Sequence, residues 1–198
     1  MDLLSGLGDI IVVAPATAAL FVGLLWLGAR REALAFVVAI AATMALALAA
    51  KLAFEACGFA EPRLDVESPS GHAALGAAFW GCFAALLAGG RRLGQRLAFY
   101  AAAVLIAIAV ACGRVAIGAH SVAEVVCGLA IGVVATTLFI ALRGPPRRLS
   151  LTPPVLLGAS PVVALLALDL TLFTDRWTAE PFIVRLAAAI GLALKLCT

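Results

Sequence analysis

Six near-continuous apolar stretches leave this chain few folds to choose from. They run roughly from Ile10 to Gly28, Ala33 to Phe54, Ala73 to Gly90, Leu97 to Cys112, Val122 to Leu142 and Val155 to Phe173. Most are near the ~20 residues an α-helix needs to cross the hydrocarbon core of a bilayer. Leucine, alanine and valine run on without the period of two that barrel strands require. The apolar fraction is 65% and the charged fraction 13%, which excludes an ordinary soluble domain. The expectation is therefore all-α: a polytopic transmembrane helical bundle of six or seven spans, forming a single integral membrane domain over residues 1–198. The seventh candidate, Pro181 to Cys197, is short, and crossing would bring Lys195 back to the basic side. The N-terminus lacks a basic n-region and a small-residue cleavage site, so the first apolar run is expected to be retained.

Charge placement orients the bundle. Alternate connections hold Arg30 and Arg31, then Arg91, Arg92 and Arg96, then Arg143, Arg147 and Arg148, with Glu32 the one acid among them. Basic connections stay in the cytoplasm, so these three face inward. The remaining connections, Glu55 to Ser70, Gly113 to Ser121 and Thr174 to Glu180, then face outward together with Asp2 and Asp9. The chain is expected in the cytoplasmic (inner) membrane, with its chemistry facing the periplasm or exterior.

Several features read as structure. Cys82, Cys112 and Cys127 lie inside apolar runs, Cys57 and Cys197 near run ends, and none forms a metal-spaced cluster. Gly71, Gly76 and Gly81 recur through the third span and Gly128 and Gly132 through the fifth, as helix-packing positions do. Pro145-Pro146 and Pro153-Pro154 bracket a basic loop that separates the first five runs from a trailing segment. Asp169, inside the sixth run, is costly in a membrane unless it lies at the interface or is paired.

The chain's two histidines both belong to motifs on the outward face. His72 closes Pro69-Ser70-Gly71-His72. Pro69 stops any preceding helix and Ser70 is a strong N-cap for the next span. Such a helix start offers free amides and a positive dipole end, which suit an anion, and glycine lets the backbone come close to it. His120 follows Arg114 after five residues and precedes Glu124 by one helical turn. Two readings of Glu124 stay open in the sequence. It completes a capping box with Ser121, or it accepts a hydrogen bond from one His120 nitrogen and leaves the other nucleophilic. Arg114, Arg63 and Lys51 add cations to this face, and arginine matches phosphate oxygens bidentately. Glu55, Glu61, Asp65 and Glu67 oppose anion binding unless they point away or pair with those cations.

On these residues the chain resembles the type 2 phosphatidic acid phosphatase superfamily, membrane lipid phosphatases related to vanadium haloperoxidases. The family carries Lys-x6-Arg-Pro, Pro-Ser-Gly-His and Ser-Arg-x5-His-x3-Asp in that order. Pro69 to His72 matches the second in full. Arg114, His120 and Glu124 match the third, with Gly113 in place of serine and Glu124 in place of aspartate. The first is partial: Leu64 follows Arg63, Ala56 occupies the lysine position, and Lys51 lies twelve residues upstream of Arg63. The resemblance spans the second to fifth runs and places the catalytic core there.

The resemblance implies that His120 attacks phosphorus, His72 protonates the leaving oxygen and Glu124 orients His120. Arg114, Arg63, Ser70, the Gly71 amide and Lys51 would hold the phosphate oxygens, with no metal and no other cofactor. The expected partners are membrane lipids and a lipid phosphate substrate, with no nucleic acid. The expected function is a phosphatase for a lipid phosphate monoester or polyprenyl diphosphate, working through a phosphohistidine. Two alternatives share the motifs: a lipid phosphotransferase, and a non-catalytic protein that binds anionic lipid.

Overall fold

The computed structural model describes residues 6–57, 68–146 and Arg185. Five helices follow in order: α1 Ile10–Trp26, α2 Arg30–Cys57, α3 Gly71–Ala88, α4 Leu93–Ala116 and α5 Val122–Arg143. No strand occurs among the described residues. Helices α2 to α5 are long and apolar enough to cross a membrane, whereas α1, with 17 residues, is apolar but shorter. They correspond to the first five apolar runs. The sixth run, Asp169, Arg176 and the stretch 181–197 apart from Arg185 lie outside the described residues, as do Cys197 and the basic pair Arg147 and Arg148.

Local chemistry sets the helix boundaries. Asp9 caps α1 by accepting the Ile11 amide at 3.0 Å. That helix ends where Gly28 turns to φ 69°, letting the Ala29 amide reach the Leu24 carbonyl at 2.9 Å. Ser70 caps α3 and Ser121 caps α5, both as the residue types require. Helices α2 and α4 extend beyond their apolar runs at both ends, because a helix continues into charged residues when its backbone ladder is satisfied. Arg30, Arg31 and Glu32 thus form the first turn of α2 and Arg96 lies in α4, where connections were expected.

The bundle is built around α3. Fourteen of its 18 residues are buried, against five of 24 in α4. Close approach explains how α5 lies so near it: Gly128 packs on the Ser70 carbonyl, and Gly132 on the Ala77 side chain and the Ala74 carbonyl. A Cβ at either position would collide with those atoms. Deeper in the core, Phe36 of α2 meets Phe79 of α3 and Phe139 of α5 edge-on, with centroids 5.7 and 6.0 Å apart. Leu34, Leu105 and Val133 lie exposed on the outside, an apolar surface that suits lipid rather than water.

Arg31, Arg91 and Arg143 lie at one end of this bundle and cap carbonyls there. Arg31 Nε donates to the Leu142 carbonyl at 2.8 Å, and Arg91 Nε to the Leu87 carbonyl at 2.8 Å. Arg143 departs from the expectation of a loop cation. As the last residue of α5 it is buried, donates to the Ala85 carbonyl and lies over the Phe139 ring at 5.6 Å. The opposite end holds the start of α3 and the α4–α5 connection, and with them both histidines.

Candidate active site

The turn that opens α3 is tied to the first turn of α5. Ser70 adopts the extended conformation of an N-cap (φ −69°, ψ 111°), and its Oγ accepts the Ala73 amide at 3.4 Å. Its own amide donates to the Glu124 carbonyl at 3.1 Å. Two residues earlier, the Ser68 amide donates to Glu124 Oε1 at 2.7 Å. Ser70 is fully buried by this arrangement, and its hydroxyl proton is the group left to donate. Gly71 differs from the other α3 glycines named in the sequence: a Cβ there would meet no atom among the described residues. It opens space at a helix start whose amides and dipole favour an anion.

Glu124 fills both roles that the sequence left open. The Ser121 amide donates to Oε2 at 3.1 Å and the Glu124 amide to Ser121 Oγ at 3.2 Å, which completes the capping box. The same Oε2 lies 2.8 Å from His120 Nδ1. A carboxylate accepts, so Nδ1 carries the proton and Nε2 keeps its lone pair. One buried carboxylate thereby spans three elements: the Ser68–Ser70 turn, the His120 loop and the α5 start.

Electrostatics favour a neutral His120. Burial of the ring pulls its pKa below the ordinary 6.5; the hydrogen bond and charge of Glu124 oppose this, while the charges of Arg114 and Lys51 push the same way as burial. Arg114 lies half-buried in the last turn of α4 and Lys51 half-buried on α2. Both are thus near enough for their charge to act on His120. Lys51 reaches this neighbourhood despite its irregular spacing from Arg63. Arg63 itself lies outside the described residues, as do Glu61, Asp65 and Glu67 and the side chains of Glu55 and Cys57.

His72 has a partner that the sequence did not reveal. Its Nε2 lies 3.1 Å from Asp9 Oδ2, across 63 residues of chain. Burial raises the Asp9 pKa, but the hydrogen bonds of His72 and the Ile11 amide, with the charges of His72 and Arg114, outweigh it and hold the carboxyl below its ordinary value. The sequence placed Asp9 on the outward face with the histidines, but its contact with His72 carries no local signal. Ser68 was missed for a similar reason, since a backbone amide leaves no mark on residue type.

Comparison with known proteins follows the same residues. An "Uncharacterized 22.5 kDa protein in cps region" of Klebsiella pneumoniae is 38% identical over 143 residues, 72% of this chain and 68% of that protein. No solved structure matches the chain. The family model described as PAP2 superfamily matches residues 32–148, which take in α3 to α5, Lys51, Arg63, both histidines and Glu124. The chain belongs to the PAP2 superfamily.

Proposed function

We propose that this membrane protein is a phosphatase for a lipid phosphate monoester or polyprenyl diphosphate, acting through a phosphohistidine on the non-cytoplasmic face of the inner membrane. The observation that carries the reading is the shared carboxylate: Glu124 binds His120 Nδ1 and, from the other oxygen, the turn that leads into His72. His120 Nε2 is left as a lone-pair nucleophile beside a helix start, Arg114 and Lys51.

The lone pair of His120 Nε2 attacks phosphorus, and an N–P bond forms as the P–O bond to the lipid breaks. The electron pair leaves on that oxygen, which takes a proton from His72. Water then forms the new P–O bond and gives a proton to His72, while the N–P electrons return to His120. Glu124 keeps the Nδ1 proton in place throughout and offsets the positive charge on the phosphorylated ring. Arg114, Arg63, Lys51, the Ser70 hydroxyl and the Gly71 amide hold the three equatorial oxygens. Phosphoryl transfer depends mainly on such positioning and charge stabilisation, so fixed cations serve where other enzymes use a metal.

The membrane setting favours substrates whose phosphate sits at the interface: polyprenyl diphosphate, phosphatidate, phosphatidylglycerophosphate or a lipid A phosphate. The whole chain, residues 1–198, is read as one domain of six or seven spans, oriented by its arginine-rich end. The test is free phosphate released from a panel of these lipids by purified protein in detergent. Release is expected to persist in EDTA, to be inhibited by vanadate, which mimics the five-coordinate transition state, and to vanish in His120→Ala. A metal requirement, or full activity in His120→Ala, contradicts the mechanism. Phosphate appearing on a second lipid rather than in solution identifies a phosphotransferase.

A further inference from the structure

We propose that Asp9 is a positioning residue for the general acid: it holds His72 Nε2–H, so that Nδ1–H is the proton given to the leaving oxygen. This deepens the phosphatase reading and rests on His72 being its acid.

The contact is built from both sides. One Asp9 oxygen accepts the Ile11 amide at 3.0 Å, which fixes the carboxylate's rotation and presents the other oxygen to His72 at 3.1 Å. The segment before α1 is itself docked on α3. Trp80 Nε1 donates to the Leu7 carbonyl at 3.2 Å, and Gly8 lies so close to the His72 carbonyl that no Cβ fits between them. The Asp9 amide closes the segment by donating to the Gly6 carbonyl at 3.0 Å. A residue that only capped α1 would need none of this contact with α3. The ionised state of the carboxyl, held below its ordinary pKa against the effect of burial, makes it an acceptor at neutral pH.

The two histidines are thus held by carboxylates on opposite ring nitrogens: His120 at Nδ1 by Glu124, His72 at Nε2 by Asp9. The nitrogens left for substrate are Nε2 of His120, as a lone pair, and Nδ1 of His72, as a proton donor. An acid matters in proportion to how poor the leaving group is, and this separates positioning from capping.

The test compares kcat/KM for phosphatidate, an alkoxide leaving group, with that for a nitrophenyl phosphate carrying an alkyl tail. Asp9→Asn and Asp9→Ser both retain a good α1 cap, and serine is too short to reach His72. Each is expected to lower kcat/KM about 10–100-fold on phosphatidate and less than about threefold on the nitrophenyl ester, and His72→Ala to show the same selectivity more strongly. Adding Asp9→Ser to His72→Ala should cost nothing further on phosphatidate. Equal losses on both substrates, no loss on either, or a further loss in the double variant overturn the role of Asp9 and leave the phosphatase reading intact. Turnover of both substrates by His120→Ala overturns that reading itself, and this inference with it.

Discussion

At the scale of single residues, the proposed chemistry depends on where one proton sits. Glu124 holds it on His120 Nδ1, and a glutamine there would keep the shape but lose the charge and the fixed tautomer. Glu124→Gln is therefore expected to lower kcat about 10²–10⁴-fold while leaving KM within a few-fold. A kcat within about twofold of wild type would remove Glu124 from the mechanism. A second prediction follows from burial of the His120 ring and from the charges of Arg114 and Lys51, which lower its pKa against the pull of Glu124. His120 should remain neutral down to a pH below 6.5 and become protonated, and inactive as a nucleophile, as pH falls through that lower value. With two histidines in the chain, nitrogen NMR of histidine-labelled protein can follow each one. The expected spectrum at pH 7 shows His120 as the Nδ1–H tautomer with a midpoint below 6.5. An Nε2–H tautomer contradicts the site geometry.

At the scale of elements, α3 is the post around which the site is assembled, and glycine decides how near α5 can come. Gly132→Ala places a methyl against the Ala77 side chain and the Ala74 carbonyl. It is expected to destabilise the bundle by about 1–3 kcal/mol, as overpacking does. Gly94→Ala, in the first turn of α4 with no atom near its new methyl among the described residues, is expected to be neutral or to add about 0.4–1 kcal/mol. Thermal unfolding in one detergent compares the two, and an equal shift would mean that Gly132 is not a contact point. This scale also shows what the sequence could carry. The caps at Ser70 and Ser121 were readable because the chemistry is local: a hydroxyl and an amide three residues away. The Asp9–His72 pair and the Ser68–Glu124 bond join residues 63 and 56 apart, and no short-range pattern records them. Arg143 was misread as a loop cation because its charge, next to a glycine and two prolines, marked the end of the apolar run one residue before the helix itself ends.

At the scale of the whole molecule, the arginine-rich end and the histidine end are opposite, which gives the bundle a polarity that a membrane can read. The apolar runs made the helices readable, and the arginine alternation correctly put both histidines at one end. Helix crossings were not readable, since small residues mark a contact without naming its partner. Orientation is testable in whole cells with a variant whose native cysteines are replaced. A cysteine at Ala119, in the exposed α4–α5 connection, should react with a membrane-impermeant maleimide added outside. One at Arg92, exposed before α4, should react only after permeabilisation. The reverse pattern would put the site in the cytoplasm. The central claim is that His120 carries the phosphoryl group, and the most direct measurement is to trap it there. Protein mixed with a lipid phosphate labelled at phosphorus and quenched in base should carry an acid-labile, base-stable label that maps to His120 and is absent from His120→Ala. Turnover with no label on His120, or label that persists in His120→Ala, would contradict the account.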